Sequence, residues 1–331
     1  MIQEQPHVIG IDVSKQKLQA SLLLAPDLSK PRQKSVANNQ HGYKELRDWA
    51  ARQSKGQGRI RYVMEATGIY HIAFALFLFE RGEEVYVVNP AQVKSYAHSQ
   101  GSRTKTDEKD SAIIAHFGVK PPRNAKPFSP PPPEYHELRG LLARLEQIDK
   151  MIRQEKNRLE ARPTTAAAQS IREHIEYLER ERDDILRRMR KLVDEHPGLA
   201  EEVSHLESIP GVGSLSAYRL ASMLEGGERF ASARKFSAFL GLSPKAAESG
   251  TSVRKKPRLS KVGDAELRKA LYLPALAASR YNPDVKALYD RLVAAGRPKM
   301  CALGAAMRKL AHIAFGVVKH RTAYTPMVAQ T

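Results

Sequence analysis

Over the first third of the chain, short apolar runs alternate with stretches of helical period. His7–Val13 is an apolar run that carries Asp12 near its end, and Leu18–Leu24 follows closely, so the pair reads as the opening of a sheet. Residues 40–54 place Leu46, Trp49 and Ala50 on one helical face. Arg59–Ala66 reads as a strand with Glu65 near its end, Tyr70–Glu80 as a strongly apolar helix, and Glu84–Asn89 as another buried strand. A helix near Ala91–His98, a polar stretch over Ser99–Thr106 and a helix from about Asp107 complete the pattern. Strands alternating with helices imply an α/β domain whose sheet is covered on both faces.

The period then changes to heptads. Leu138, Leu141, Leu145, Ile148, Ile152 and Leu159 step by 3, 4, 3, 4 and 7, and Ile171, Ile175, Leu178, Ile185, Met189 and Leu192 by 4, 3, 7, 4 and 3. With charges elsewhere and a break near Pro163, this predicts an antiparallel coiled-coil hairpin over 134–196, structural in role. A proline-rich spacer, Lys120–Pro133, precedes it, and His196-Pro197-Gly198 stops it. The last third opens on the turn Ser208–Gly213 and a helix from about Ser214 to Leu224, with further helices near 232–240, 264–278, 283–294 and 302–319. Between them, Ser243–Gly263 is rich in Gly, Ser, Pro, Lys and Arg and reads as a loop or β-ribbon. The expected division is therefore 1–125, 134–196 and 199–325.

Composition narrows the partner. The 331 residues carry 54 Lys+Arg against 36 Asp+Glu, a net charge of +18. That excess points to a polyanion, with nucleic acid first. Residues 1–120 hold 17 basic and 12 acidic side chains, 121–199 hold 16 and 14, and 200–331 hold 21 and 10, so the net charges are +5, +2 and +11. Cys301 is the only cysteine, which excludes a disulfide framework and a cysteine-based zinc site; it reads as a packed core thiol. The eleven histidines show no metal-ligand spacing. No run of about 18 apolar residues predicts a membrane span, and the polar start Met1–Pro6 lacks a signal-peptide core, so the expected location is the cytoplasm.

Four acids are candidate metal ligands. Asp12 and Glu65 sit at the C-terminal ends of predicted strands, the edge at which open α/β sheets bind ligands. Asp107 and Asp110 are three apart on a predicted helix and share a face, although Asp107 also suits a helix N-cap. Converging carboxylates repel unless a hard cation such as Mg²⁺ sits among them. From the residues alone the choice between ligands and solvated charges stays open.

Eight motifs add a resemblance. Gly10-Ile11-Asp12-Val13-Ser14-Lys15, Glu65-Ala66-Thr67-Gly68, Asn89-Pro90 and Lys105-Thr106-Asp107-Glu108-Lys109-Asp110-Ser111-Ala112 resemble the N-terminal half of the DEDD transposases, recombinases of insertion sequences guided by a bridge RNA. Ile209–Gly213, Phe239–Pro244, Glu248-Ser249-Gly250 and Arg308-Lys309-Leu310 resemble that family's second domain, so the likeness covers nearly the whole chain in order. It implies a RuvC-like domain of RNase H-type fold over 1–125. There Asp12, Glu65, Asp107 and Asp110 would hold Mg²⁺, with Mn²⁺ as a substitute and no organic cofactor. It also implies donor and target DNA, a non-coding bridge RNA, and a homo-oligomer (a dimer, or a tetramer in the synaptic complex) whose subunits share each site.

The loop Glu248–Arg258 places small hydroxyls amid dense positive charge, where they can approach a phosphodiester. Chemistry alone does not choose among Ser249, Thr251 and Ser252, nor between attack and simple phosphate binding. The resemblance selects Ser249 through its Glu-Ser-Gly context and implies a covalent serine–DNA intermediate. Arg254, Lys255, Lys256, Arg258, Lys261, Arg268 and Lys269 are candidate phosphate contacts. Gly211 and Gly213, in a turn resembling a helix-hairpin-helix element, are candidates through their backbone N–H groups. Tyr70 and the other tyrosines read as core or stacking residues rather than nucleophiles. The rival readings are a Mg²⁺-dependent junction nuclease that uses water, a non-catalytic scaffold, and a sugar kinase of the actin-like class. Against the last, no Gly-rich phosphate motif follows Glu65.

Overall fold

The structure, a computed structural model, describes residues 5–25, 29–66, 68–101, 106–120, 125–249, 253–260, 262–263 and 265–327; for 245–249 and 253–258 it describes the backbone alone. Lys261, Thr251, Ser252 and Gly250 lie outside the described residues. The chain forms two compact units, residues 1–130 and 131–331.

The first unit contains β1 (His7–Val13), β2 (Lys17–Leu23), β3 (Arg32–Ala37), α1 (Gln40–Gln53), β4 (Ile60–Glu65), α2 (Ile72–Phe79), β5 (Glu84–Val88), α3 (Pro90–Ser99) and α4 (Asp107–Val119). Its sheet runs β3-β2-β1-β4-β5. The first three strands pair antiparallel, and β1, β4 and β5 run parallel. Side-chain alternation splits the core in two. Ile9, Ile11 and Val13 face α1 and α2 through Leu46, Phe74 and Phe77, whereas Val8 and Val63 face the other way, onto Ile114 and Phe117 of α4. Both faces are thus covered, as the alternating pattern predicts. Helix α2 is shorter than its apolar stretch suggested, because Gly68–His71 forms a turn before it.

The second unit contains α5 (Pro133–Glu160), α6 (Thr165–Glu195), α7 (Pro197–Glu207), α8 (Ser214–Leu224), α9 (Ala233–Phe239), β6 (Pro244–Ser249), β7 (Val253–Leu259), α10 (Ala265–Ala270), α11 (Tyr272–Tyr281), α12 (Pro283–Ala294) and α13 (Lys299–His320). Helices α5 and α6 pack on one another as a hairpin with Leu145, Ile148, Ile152, Ile175, Leu178 and Ile185 in the seam. Leu142, not Leu141, is the buried leucine of its pair. The base of the hairpin, including Tyr135, Leu138 and Leu192, shares one continuous core with α7 to α13. Helix α13 is the centre of that core. It is long and apolar enough, by length and composition, to cross a membrane, yet 61% of that stretch is buried inside the unit. Cys301, expected in the core, is exposed in the first turn of α13. One helix was expected over 264–278; it is two, α10 and α11, parted near Leu271, where Pro274 in the first turn of α11 lacks an N–H to continue the ladder.

A buried carboxyl marks this core. Glu202 of α7 is 5% exposed and accepts from the Tyr135 hydroxyl at 2.6 Å and from the Gly226 N–H at 3.1 Å. Burial pushes its pKa up from 4.5 to about 7. Between those values the folded state holds a proton that the unfolded state releases, so this group's contribution to stability falls as pH rises. Glu202→Gln is expected to flatten the pH dependence of chemical unfolding across that window by about 3 kcal/mol. Parallel unfolding curves for the two proteins at pH 4.5 and 7.5 would refute the assignment.

Candidate active site

The site is built on the C-terminal ends of β1 and β4, which are parallel neighbours with Ile11 beside Met64. Asp12 lies two residues after Gly10, and Glu65 two after Val63. Both therefore project on the α4 face of the sheet. Helix α4 lies directly on β1. A Cβ at Gly10 would meet the Ala115 nitrogen at 2.1 Å, and one at Gly118 would meet Val63 at 2.5 Å and Val8 at 2.9 Å. Those contacts run α4 antiparallel to β1 and bring its N-terminal turn to the edge that carries Asp12.

Polar bonds fix that turn. Thr106 caps α4, its hydroxyl accepting from the Lys109 N–H at 3.3 Å. The cap is Thr106, so the alternative role of Asp107 as N-cap falls away, and Asp107, Glu108 and Asp110 form the acidic first turn. Their charges meet the positive end of the helix dipole. Gln19, beside Asp12 in the β1–β2 register, donates to Gln33 at 3.0 Å, and Gln33 donates to the Glu108 carbonyl at 3.2 Å. The hydroxyls of Ser21 and Ser111 pair at 2.8 Å beneath them.

Asp12, Glu65 and Asp110 are half-buried and Asp107 is exposed. An oxygen-only set of carboxylates is the donor chemistry of a hard divalent cation. The four acids share one edge, but they are not drawn together into a ligand set: among the described residues no group of three or more His, Cys, Asp or Glu stands close enough to hold an ion. Asp107 turns to Lys17, with 3.6 Å between Nζ and Oδ2. Carboxylates on one edge repel, and Lys17 offers Asp107 a nearer opposite charge.

In the second unit, β6 and β7 form the antiparallel ribbon that the basic loop allowed. Glu248 stands opposite Arg254 and Ser249 opposite Val253, at the end of the ribbon where β6 stops. Lys255 and Arg258 lie in register with Ala247 and Lys245, and a bulge falls between those pairs. The ribbon base is anchored: Ser260 N–H donates to the Ser243 carbonyl at 2.8 Å, and a Cβ at Gly304 of α13 would meet Leu259 at 3.0 Å.

The other basic candidates separate. Arg268 donates to the Leu240 carbonyl at 3.1 Å and is half-buried, so it closes the end of α9. Lys269 is exposed beside Glu266 at 3.7 Å. Gly211 has φ +101°, and a Cβ there would meet the Ala278 nitrogen at 2.6 Å, so its conformation serves packing against α11. Gly213 precedes α8 with open space around its Cα. Lys17, Gln19, Gln33 and Ser111 are not singled out by the sequence: Lys17, Gln19 and Ser111 lie within seven positions of Asp12 or Asp107, and Gln33 carries no such signal.

Comparison with known proteins identifies the family. A family model described as a transposase of the DEDD type matches residues 9–162, and one described as "Transposase IS116/IS110/IS902 family" matches residues 203–290. The chain belongs to this family of insertion-sequence transposases. The pilin gene-inverting protein of Moraxella bovis is 29% identical over 94% of this chain and 95% of its own length. The transposase for insertion sequence element IS1328 of Yersinia enterocolitica is 26% identical over 67% of this chain and 60% of its own length. Among solved structures, RuvC of T. thermophilus in complex with a Holliday junction substrate aligns over 37% of this chain and 99% of its own, at 16% identity and a TM-score of 0.29.

Proposed function

We propose that this chain is a DNA recombinase of an insertion sequence, cutting and rejoining strands through a covalent serine–DNA intermediate. The observation that carries the reading is the meeting of three chain segments at one edge: Asp12 from β1, Glu65 from β4, and Asp107 with Asp110 from the first turn of α4. On this reading the first unit is an RNase H-type domain, the α5–α6 hairpin spaces and pairs subunits as a coiled coil, and the rest of the second unit is the transposase domain. Asp12, Glu65, Asp107 and Asp110 would hold Mg²⁺ or Mn²⁺, which stabilises the charge that develops on a phosphate's leaving oxygen.

Ser249 attacks the phosphorus. Its Oγ–P bond forms as the bond to the 3′-oxygen breaks, the serine proton leaves Oγ, and a proton reaches the departing 3′-oxygen. Attack by a 3′-hydroxyl of another strand reverses the sequence and frees the serine. Lysines and arginines of the ribbon, with the basic excess of residues 200–331, hold the phosphates. A homo-oligomer supplies Ser249 and the carboxylates of one site from different subunits, in the bacterial cytoplasm. A structured bridge RNA chooses the donor and target DNA.

The test is reconstitution with element-bearing DNA, RNA transcribed from its flanks, and Mg²⁺. Rejoined DNA that needs both protein and RNA, passing through a detergent-stable protein–DNA adduct, is the expected result. Cleavage that leaves free ends and never an adduct would instead establish the water-using nuclease.

A further inference from the structure

The loop that follows Glu65 turns apolar side chains outward. Gly68 takes the left-handed conformation at φ +54°, and the next two residues, Ile69 and Tyr70, are 74% and 42% exposed. Only then does the chain enter α2 and the core. Isolated exposed apolar residues are ordinary on protein surfaces. This pair differs in standing immediately beyond a candidate active-site carboxylate and on backbone that is held in place.

The holding group is one amide. Asn38 Nδ2 donates to the Ser14 carbonyl at 2.7 Å, in the turn after β1, and to the Tyr70 carbonyl at 3.2 Å, in the loop after β4. Its Oδ1 accepts from the buried Tyr43 hydroxyl at 2.7 Å, which fixes the direction of the amide. The turn behind Asp12 and the loop behind Glu65 are thereby tied to one point. A clamped backbone under an exposed ring is what a stacking surface needs, since the ring loses little freedom when a base lands on it.

We propose that Tyr70, with Ile69 beside it, is the stacking platform for an unstacked nucleobase of the strand whose phosphate lies at Asp12 and Glu65. The proposal rests on the reading of the carboxylate edge as the cleavage site. Basic side chains hold phosphates but offer nothing flat to a base; an aromatic face does, whatever the base, and stacking adds affinity without sequence preference. Asn38 acts on it as a positioning residue.

Two measurements test this. In the first, DNA with 5-iodouracil placed in turn across the cleavage site is bound to the Asp12→Asn protein, which keeps the strand whole, and irradiated. The crosslink is expected on the peptide that contains Tyr70. In the second, Tyr70→Leu keeps apolar bulk and loses the ring face, whereas Tyr70→Phe and Tyr70→Trp keep it. Tyr70→Leu is expected to lower cleavage at subsaturating DNA by roughly ten- to a hundred-fold. Tyr70→Phe and Tyr70→Trp should stay within about threefold of the native protein. A crosslink confined to other segments, or a Tyr70→Leu protein as active as the native one, overturns the proposal. Normal cleavage by Asp12→Ala, with Tyr70→Leu still impaired, would strike the carboxylate reading instead.

Discussion

Asp12→Ala is expected to leave the chain folded and bound to DNA while strand cleavage falls by about a thousand-fold or more. The side chain sits at the end of β1, half-buried on the α4 face, where truncation opens space at an edge and leaves the core intact. The core residues around it, Ile11 and Val13, point to the opposite face and keep their contacts. The loss should therefore be of chemistry, and Asp12→Asn, which preserves shape and removes charge, should match it. Cleavage of end-labelled DNA and a mobility-shift titration separate the two effects. An Asp12→Asn protein that cleaves within tenfold of the native rate would end the claim that this carboxylate serves catalysis.

Ser249→Ala is expected to abolish the covalent adduct altogether and to lower strand exchange by at least about a thousand-fold. The backbone places Ser249 as the last residue of β6, at the end of a ribbon whose base is anchored on α13. Thermal unfolding of the variant should be unchanged. Thr251→Ala and Ser252→Ala serve as companions and should retain the adduct. If the adduct persists in Ser249→Ala and vanishes in one of the others, the nucleophile is that neighbour. If the adduct vanishes in none, the serine mechanism fails.

Period and punctuation made most of the first unit legible, because β1, β2, β4 and β5 are buried runs whose apolar content exceeds any competing signal. Strand β3 was missed for the converse reason. Arg32–Ala37 buries only Val36 and lies at the sheet edge, so one face reads as water-exposed polar chain. Helix α7 hid behind Pro197, which marks a stop for α6 and at the same time opens the next helix at its first position. The pair Leu141-Leu142 offers two leucines for one seam position, and spacing alone cannot choose between neighbours. Cys301 was misplaced because small apolar neighbours describe a helix and not which of its turns reaches the core.

At the candidate site, the acids were visible as strand ends and as a three-residue spacing. Their environment was not. Lys17 reaches Asp107 from the start of β2, and Gln33 reaches Glu108 from an edge strand that carries no hydrophobic signal. Long-range polar contacts of this kind depend on register, which one residue of slip would reverse. The acids of β1 and of α4 are ninety-odd positions apart in sequence, and no periodicity connects them.

Gly10 and Gly118 give the edge its calibration. At Gly10 the strand lies against the backbone of α4, and at Gly118 the helix lies against the side chains of Val63 and Val8, so α4 has no slack in which to slide along β1. The gap between the strand acids and the helix acids is a machine tolerance, cut at two residues that carry no functional group. A single methyl added at either shim would move Asp107 and Asp110 together, as one rigid jaw, while every carboxylate stayed in the sequence. Inactive chains with all four acids intact are therefore to be sought at positions 10 and 118.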